Sequence, residues 1–244
     1  MDSAALDRLS GFRRRFLVTP SAGQVIAAVE DDYHSMAVIL HHDGVVVTEV
    51  DSILDRLPWT TCPGASAILQ GTFTGVPLAD VAGRGEKKAN CTHLHDLMVL
   101  AAAHASDQAP TRYEIVACDP VDGLSVAEIR RDGTPVLQFA HRGHVMERPD
   151  AIAGESLLKL REWIEGLEGR EREAARLLQW GAILGNGRLI PMERQSTATR
   201  VPPNCYTFQP ENAVRARRVG KIIDFSGGAL VPLDHFDGTR YRQR

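Results

Sequence analysis

The chain contains few aromatic residues, little net charge and no long apolar run. Aromatic residues make up 6% of its 244 positions, which provides no row of rings for stacking single-stranded nucleic acid. A formal net charge of -3 and a pI near 6.3 argue against nucleic acid as the main partner. No apolar run approaches the roughly eighteen residues that a membrane span needs. The N-terminal segment also lacks the apolar core of a signal peptide. We therefore expect a cytoplasmic protein with neither a nucleic-acid nor a membrane partner.

Sequence motifs for disulfides and cofactors are missing as well. The chain has no C-x-x-C pair, so in a reducing compartment its cysteines are expected to be thiols. The four are Cys62, Cys91, Cys118 and Cys205. The motifs G-x-G-x-x-G, G-x-x-x-x-G-K-[ST], G-x-S-x-G and H-E-x-x-H do not occur. Nothing therefore indicates a nucleotide cofactor or a serine-hydrolase mechanism, and we expect a cofactor-independent protein.

Turn signals and apolar spacing predict the fold class. Asp43-Gly44 and Asp132-Gly133 each separate two strand-like runs, which predicts two β-hairpins. Helical spacing predicts helices from Thr92 to about Ser106, from Glu155 to Gly166 and from Glu171 to Leu184. The connection between the last two is short, so we expect an antiparallel helix pair. Because strands and helices do not alternate regularly, the fold is predicted to be α+β, with an antiparallel sheet packed against a few helices.

The composition changes near residue 190. We predict a single α+β domain over residues 1–190, followed by an irregular extension over residues 191–244. The extension is rich in proline and carries the basic run Arg215-Ala216-Arg217-Arg218. We expect it to pack on the domain or on a partner subunit, which leaves a homo-oligomer open. A short basic run of this kind is usually a solvated face rather than a binding site.

Asn90-Cys91-Thr92-His93-Leu94-His95-Asp96 is the most informative segment. It places two histidines, a thiol and a carboxylate within six positions, directly before the apolar run 97–103. The polar cluster should therefore lie where a buried helix begins, with Asn90 or Thr92 as its N-cap. Helix N-termini carry free N–H groups and a partial positive charge. We expect this environment to lower the pKa of the thiol and to keep the imidazoles neutral, which suits chemistry.

A metal site is one interpretation of this cluster. Cys91, His93 and His95 alternate, so on an extended chain they would share one face. With Cys62 they would supply four zinc-type ligands, although the spacing matches no standard zinc signature. In the alternative interpretation Cys91 is a small buried residue and one histidine caps the helix.

Asp31-Asp32-Tyr33-His34 interrupts the strand-rich region with consecutive polar residues. A carboxylate beside a histidine can orient the imidazole as a base. Because neighbouring residues of a strand point to opposite faces, Asp32 and His34 are the expected pair. The segment can equally be a turn between two strands.

Arg56 can bind an acidic group through its planar guanidinium, or it can pair with a nearby carboxylate.

Three motifs together resemble the bacterial domain-of-unknown-function family 2889. They are Asp31-Asp32-Tyr33-His34, the RLPWTTCPGA segment beginning at Arg56, and the CTHLHDL segment beginning at Cys91. The similarity runs from about Phe12 to Leu189. The family is known mainly from proteobacteria, including organisms that degrade aromatic compounds, and its name implies no chemistry.

A second resemblance is to cofactor-independent lyases that remove formaldehyde from lignin-derived dimers. It implies a phenolic substrate of the phenylcoumaran or diarylpropane type, which reacts through a quinone methide to a stilbene. On this interpretation the catalytic residues are Asp32, His34, His93 and His95. The substrate-binding residues are Tyr33, Arg56, Trp59, Cys62 and Cys91. No metal takes part.

Two other functions stay open. One is a metal-dependent hydrolase or lyase that uses Cys62, Cys91, His93 and His95. The other is a non-catalytic protein that binds a small molecule. If the motifs form one site, Asp32 or His34 should lie within about 10 Å of Cys62 and of His93 or His95, around a concave pocket.

Overall fold

A computed structural model describes residues 1–236 of the chain. Within this range the chain forms eight strands: β1 (Gly11–Ser21), β2 (Gln24–Asp31), β3 (Ser35–His42), β4 (Val47–Arg56), β5 (Thr111–Cys118), β6 (Leu124–Arg131), β7 (Thr134–Arg142) and β8 (Val145–Arg148). It also forms seven α-helices: α1 (Ser3–Asp7), α2 (Ala65–Phe73), α3 (Thr92–Ala103), α4 (Arg161–Glu165), α5 (Gly169–Asn186), α6 (Met192–Gln195) and α7 (Pro210–Ala213).

The strands are hydrogen-bonded in the order β4-β3-β2-β1-β5-β6-β7-β8, as one antiparallel sheet. Both predicted Asp-Gly hairpins are present: Asp43-Gly44 lies between β3 and β4, and Asp132-Gly133 joins β6 to β7. Asp132 and Gly133 both have positive φ angles, 50° and 83°, as a two-residue turn of this kind requires. The predicted α+β class is confirmed.

The described chain divides into two compact units. One, here called the α5 unit, comprises Met1–Arg15, Arg112–Pro191 and Ile223–Pro232. The other, the α3 unit, comprises Phe16–Thr111, Met192–Ile222 and the described part of Leu233–Arg244. The predicted extension over residues 191–244 thus contributes to both units, and its residues 237–244 lie outside the described range.

In the α5 unit, α5 packs on β6 and β7. Gly181 of this helix permits a close approach, because a Cβ there would lie 2.7 Å from the Ile115 side chain. The helix predicted from Glu155 to Gly166 is shorter than expected: a 3-10 turn, Leu157–Lys159, is followed by the five-residue α4. Leu160 separates them because its ψ of 5° leaves the helical region. The predicted antiparallel helix pair is therefore not clearly formed.

In the α3 unit, α3 packs on β2 and β3, and α2 packs on β4. The buried face of α3 consists of Leu94, His95, Leu97, Met98, Leu100 and Ala101. Residues from the later part of the chain complete this core: Ala198, Ala213 and Ala216 pack with Trp59 and Cys62. Within residues 1–236, no helix combines the length and the apolar character that crossing a bilayer requires.

Candidate functional site

The segment Asp31–His34 is a tight turn that joins β2 to β3. The Asp31 N–H donates to the carbonyl of His34 at 2.9 Å. The Asp31 carboxylate accepts from the N–H groups of Tyr33 and His34 at 2.8 and 2.9 Å. This is the usual role of an aspartate at the first position of a turn. The whole turn is buried, so the turn interpretation and the functional interpretation are compatible.

Asp31, and not Asp32, is the carboxylate that orients His34. His34 Nδ1 lies 3.0 Å from Asp31 Oδ1. A carboxylate only accepts, so the geometry assigns the proton to Nδ1 and leaves Nε2 with its lone pair. The expected Asp32–His34 pairing assumed a continuous strand, but the chain turns here and carries His34 back over Asp31. The carboxylate of Asp32 is fully buried.

Arg56, at the end of β4, holds this turn in place. Its guanidinium donates to the carbonyls of Asp32 at 2.8 Å and of Asp31 at 2.7 Å, and more weakly to that of His34. It also forms an ion pair with Glu30 at 3.0 Å. Several of its donors are thus used by the protein itself. The alternative in which Arg56 pairs with a nearby carboxylate is thus present, together with a role in positioning the turn, and its role as an anchor for a substrate stays a prediction.

His93, in the first turn of α3, stacks on His34. The ring centroids are 3.9 Å apart and the rings are inclined by 31°. Ligand atoms of Asp31, His34 and His93 all lie within 4.8 Å of one another. The segment beginning at Cys91 and the Asp31–His34 turn therefore meet, as a single site requires.

His95 lies on a different side of α3 from His93, because residues two apart on a helix point about 200° from each other. Its Nε2 lies 3.1 Å from the carbonyl of Gly85, and its ring packs against Phe73. Burial lowers its pKa from the usual 6.5. Asp96 forms an ion pair with Lys87 at 2.6 Å. The structure thus separates the two histidines that the sequence grouped together.

Cys91 is the N-cap of α3, where Asn90 or Thr92 was expected, and its side chain forms no capping hydrogen bond. Burial raises the pKa of the Cys91 thiol to about 12. The expected lowering of the Cys91 pKa by the helix N-terminus is wrong. Burial destabilises the thiolate by more than the helix dipole stabilises it. Burial also raises the pKa of Cys62, whose Sγ lies 3.5 Å from Thr207 Oγ1. Both cysteines are buried, free thiols whose thiolate forms are disfavoured.

Trp59 and Tyr33 are both covered by one guanidinium, that of Arg218. The Arg218 Cζ lies 5.4 Å from the centroid of Trp59 and 5.8 Å from that of Tyr33. Tyr33 in turn packs edge-on against His34, with ring centroids 6.2 Å apart. Arg218 was not predicted as a site residue, because the basic run that contains it was expected to be a solvated face. The sequence signal that points to a close backbone contact here is the glycine two residues later, Gly220.

A shallow cavity lies elsewhere, in the α5 unit. Its lining includes His141, Ser125, Cys118 and Asn186, and it has room for about one water molecule. His141 is buried, and its Nδ1 lies 2.8 Å from the carbonyl of Gly143. A space of this size fits an internal water and is too small for an aromatic substrate.

Comparison of the chain with known protein families and with curated proteins finds no match. The family resemblance therefore stays a prediction, and the function has to be argued from the site itself.

Proposed function

We propose that the protein is a cofactor-independent lyase that removes formaldehyde from a lignin-derived phenolic dimer of the phenylcoumaran or diarylpropane type. The observation that supports this most is the cluster of Asp31, His34 and His93, with the ring of Tyr33 against His34. An oriented histidine base and a second histidine as proton donor are groups that this reaction needs.

The substrate provides its own electron sink. Electrons from the para-phenolate expel the benzylic oxygen, which takes up a proton and leaves a quinone methide. A base then removes the proton of the neighbouring primary alcohol. The C–C bond to that carbon breaks, formaldehyde leaves, and the electron pair restores the aromatic ring as the phenolate of a stilbene. Atoms and electrons balance without an oxidant or reductant.

Two histidines divide the proton transfers in this proposal. His34 acts as the base through Nε2, because Asp31 holds its other nitrogen and orients the ring. His93 donates to the departing oxygen. Compared with the sequence-based assignment, Asp31 takes the place of Asp32 as the orienting carboxylate, and His95 is not used.

The decisive experiment is to incubate chelator-treated protein with phenolic dimers and to measure formaldehyde together with stilbene absorbance. His34→Asn and His93→Asn should each lower turnover by about 10²- to 10⁴-fold. His104→Asn is a matched control, since His104 forms a similar pair with Asp107, also three residues away, at 2.8 Å. A substrate whose phenol is methylated should not react, because it cannot form the quinone methide. Equal turnover of the methylated substrate would rule out the mechanism.

A metal-dependent hydrolase or lyase is the second candidate, and one observation favours it. Asp31, His34 and His93 offer two imidazoles and a carboxylate within 4.8 Å, a donor set typical of catalytic zinc and non-haem iron sites. These are different ligands from the set Cys62, Cys91, His93 and His95 that the sequence suggested. Such a metal would supply Lewis acidity to a bound oxygen.

Elemental analysis separates the two candidates. The metal-dependent function requires about one metal ion per chain, lost in Asp31→Asn and retained in Asp107→Asn. It also requires that a chelator abolish turnover and that added metal restore it. The acid–base lyase keeps its turnover after chelation.

A further inference from the structure

Arg218 occupies a fixed position, although it belongs to a basic run near the end of the described chain. The neighbouring backbone is bonded to residues 58–60 on both sides: Thr60 N donates to the Arg217 carbonyl at 3.0 Å, and Val219 N donates to the Pro58 carbonyl at 2.9 Å. Trp59 and Arg218 form an antiparallel bridge between these contacts. The backbone of Arg218, and with it the origin of its side chain, is therefore held in place.

Gly220 makes this attachment close. Its φ is +84°, and a Cβ on it would lie 2.5 Å from the carbonyl oxygen of Leu57. An L side chain is thus excluded both by conformation and by space. The strand-like contact of residues 217–220 with residues 57–60 is consequently specified by the sequence at Gly220.

The guanidinium of Arg218 is half-buried, and its contacts leave its hydrogen-bonding capacity open. Tyr33 and Trp59 lie within cation–π range. Contacts of that type use the flat faces of a guanidinium, whereas its N–H donors lie in the plane. Among the side chains that the structure describes (residues 1–191 and 194–236), no carboxylate and no hydrogen-bond acceptor pairs with Arg218. Burial lowers its pKa, because it takes the charge out of water.

We propose that Arg218 is the anion-binding residue of this site and that its ligand is a planar oxyanion on an aromatic ring, a phenolate or an aryl carboxylate. A guanidinium fork matches the in-plane lone pairs of either group. The buried rings of Trp59 and Tyr33 hold the flat faces of the guanidinium and so fix the plane in which its N–H donors point. Arg218 takes the anchoring role that the sequence assigned to Arg56.

This inference deepens the proposed function and rests on it for the nature of the substrate. Expulsion of a benzylic oxygen requires electron release from a phenolate. A cation that binds the phenolic oxygen favours its ionised form and holds the ring beside Tyr33, which contacts His34. The ring of Tyr33 then lies between Arg218, the proposed anchor, and His34, the proposed base.

The test is direct binding to the full chain, with no turnover required. Probes are 4-nitrophenol above its pKa, followed by absorbance, and benzoate, followed by calorimetry. The neutral 4-nitroanisole is the uncharged counterpart. Arg218→Met should weaken binding of the preferred anion by about 10- to 100-fold. Arg218→Lys should recover part of it, which shows that the loss does not reflect misfolding. Arg217→Met, an exposed residue in the same run, should change binding by less than about 2-fold.

The choice of probe identifies the source of the oxyanion. Stronger, Arg218-dependent binding of 4-nitrophenolate supports a phenolate ligand, and stronger binding of benzoate supports an aryl carboxylate. Binding of 4-nitroanisole should not depend on Arg218. The inference is overturned if wild-type protein binds neither anion, or if Arg218→Met and Arg217→Met have equal effects. Arg218-dependent binding without formaldehyde release would instead contradict the lyase function and leave the anion site standing.

Discussion

Arg56→Met is the most informative test of how the turn that carries His34 is held. The Arg56 side chain is 11% exposed and donates to the carbonyls of Asp31 and Asp32 at 2.7 and 2.8 Å. Hydrogen bonds that involve a charged group contribute about 1.5–3 kcal/mol each. With some discount for partial exposure, the substitution should lower the free energy of unfolding by about 2–4 kcal/mol. Removing the cation also leaves the Glu30 carboxylate, within the described part of the chain, with the backbone N–H of Leu233 as its remaining donor.

Urea denaturation followed by circular dichroism measures the global effect, and amide exchange measures the local one. The N–H groups of Tyr33 and His34 donate to Asp31, so their exchange should accelerate in the variant. Arg84→Met is the matched control in the same unit: its ion pair with Glu86 is long, at 3.5 Å, and 42% exposed on the arginine side. We expect that change to stay within about 0.5 kcal/mol. If Arg56→Met costs no more than Arg84→Met and exchange is unchanged, the positioning role of Arg56 is wrong.

Three further predictions concern the same unit. Gly220→Ala should destabilise the protein more than Gly75→Ala, because both glycines have positive φ, +84° and +83°, but only a Cβ on Gly220 would meet a backbone oxygen; equal melting temperatures would contradict this. Cys91 should resist iodoacetamide at pH 8 until the chain is unfolded, since burial raises its pKa to about 12; mass spectrometry of labelled native protein checks it. Burial lowers the pKa of His95 from 6.5, so the unfolded chain binds that proton more readily, and stability should fall as the pH drops below 6.5. Denaturation midpoints between pH 7 and pH 5 should therefore decline less in His95→Gln than in the wild type.

Local patterns predicted the elements well. Asp132-Gly133 identified a hairpin because few residues other than glycine, asparagine and aspartate accept positive φ. The polar cluster before the apolar run predicted a helix from Thr92, and α3 begins at that residue. These signals lie within a few positions of the feature that they specify, which is why a single sequence contains them.

The site was harder to predict, for two physical reasons. Asp32 was preferred over Asp31 because strand alternation was assumed, whereas a four-residue turn brings its first and last side chains together. The pKa of Cys91 depends on how deeply α3 is buried, which no local pattern states. The position of Arg218 depends on contacts with Trp59, far away along the chain. Long-range packing decided the last two of these cases.

The attachment of residues 217–220 to residues 57–60 also sets an order of assembly. Thr60 and Arg217 are 157 positions apart in the chain. During synthesis, the turn with His34 and the start of α3 with His93 emerge long before Arg218 does. Contacts of such high sequence separation form late and slow folding. A nascent chain therefore acquires its histidine pair first and its guanidinium last, so a product that ends before residue 217 contains Trp59 and Tyr33 with no cation to cover them.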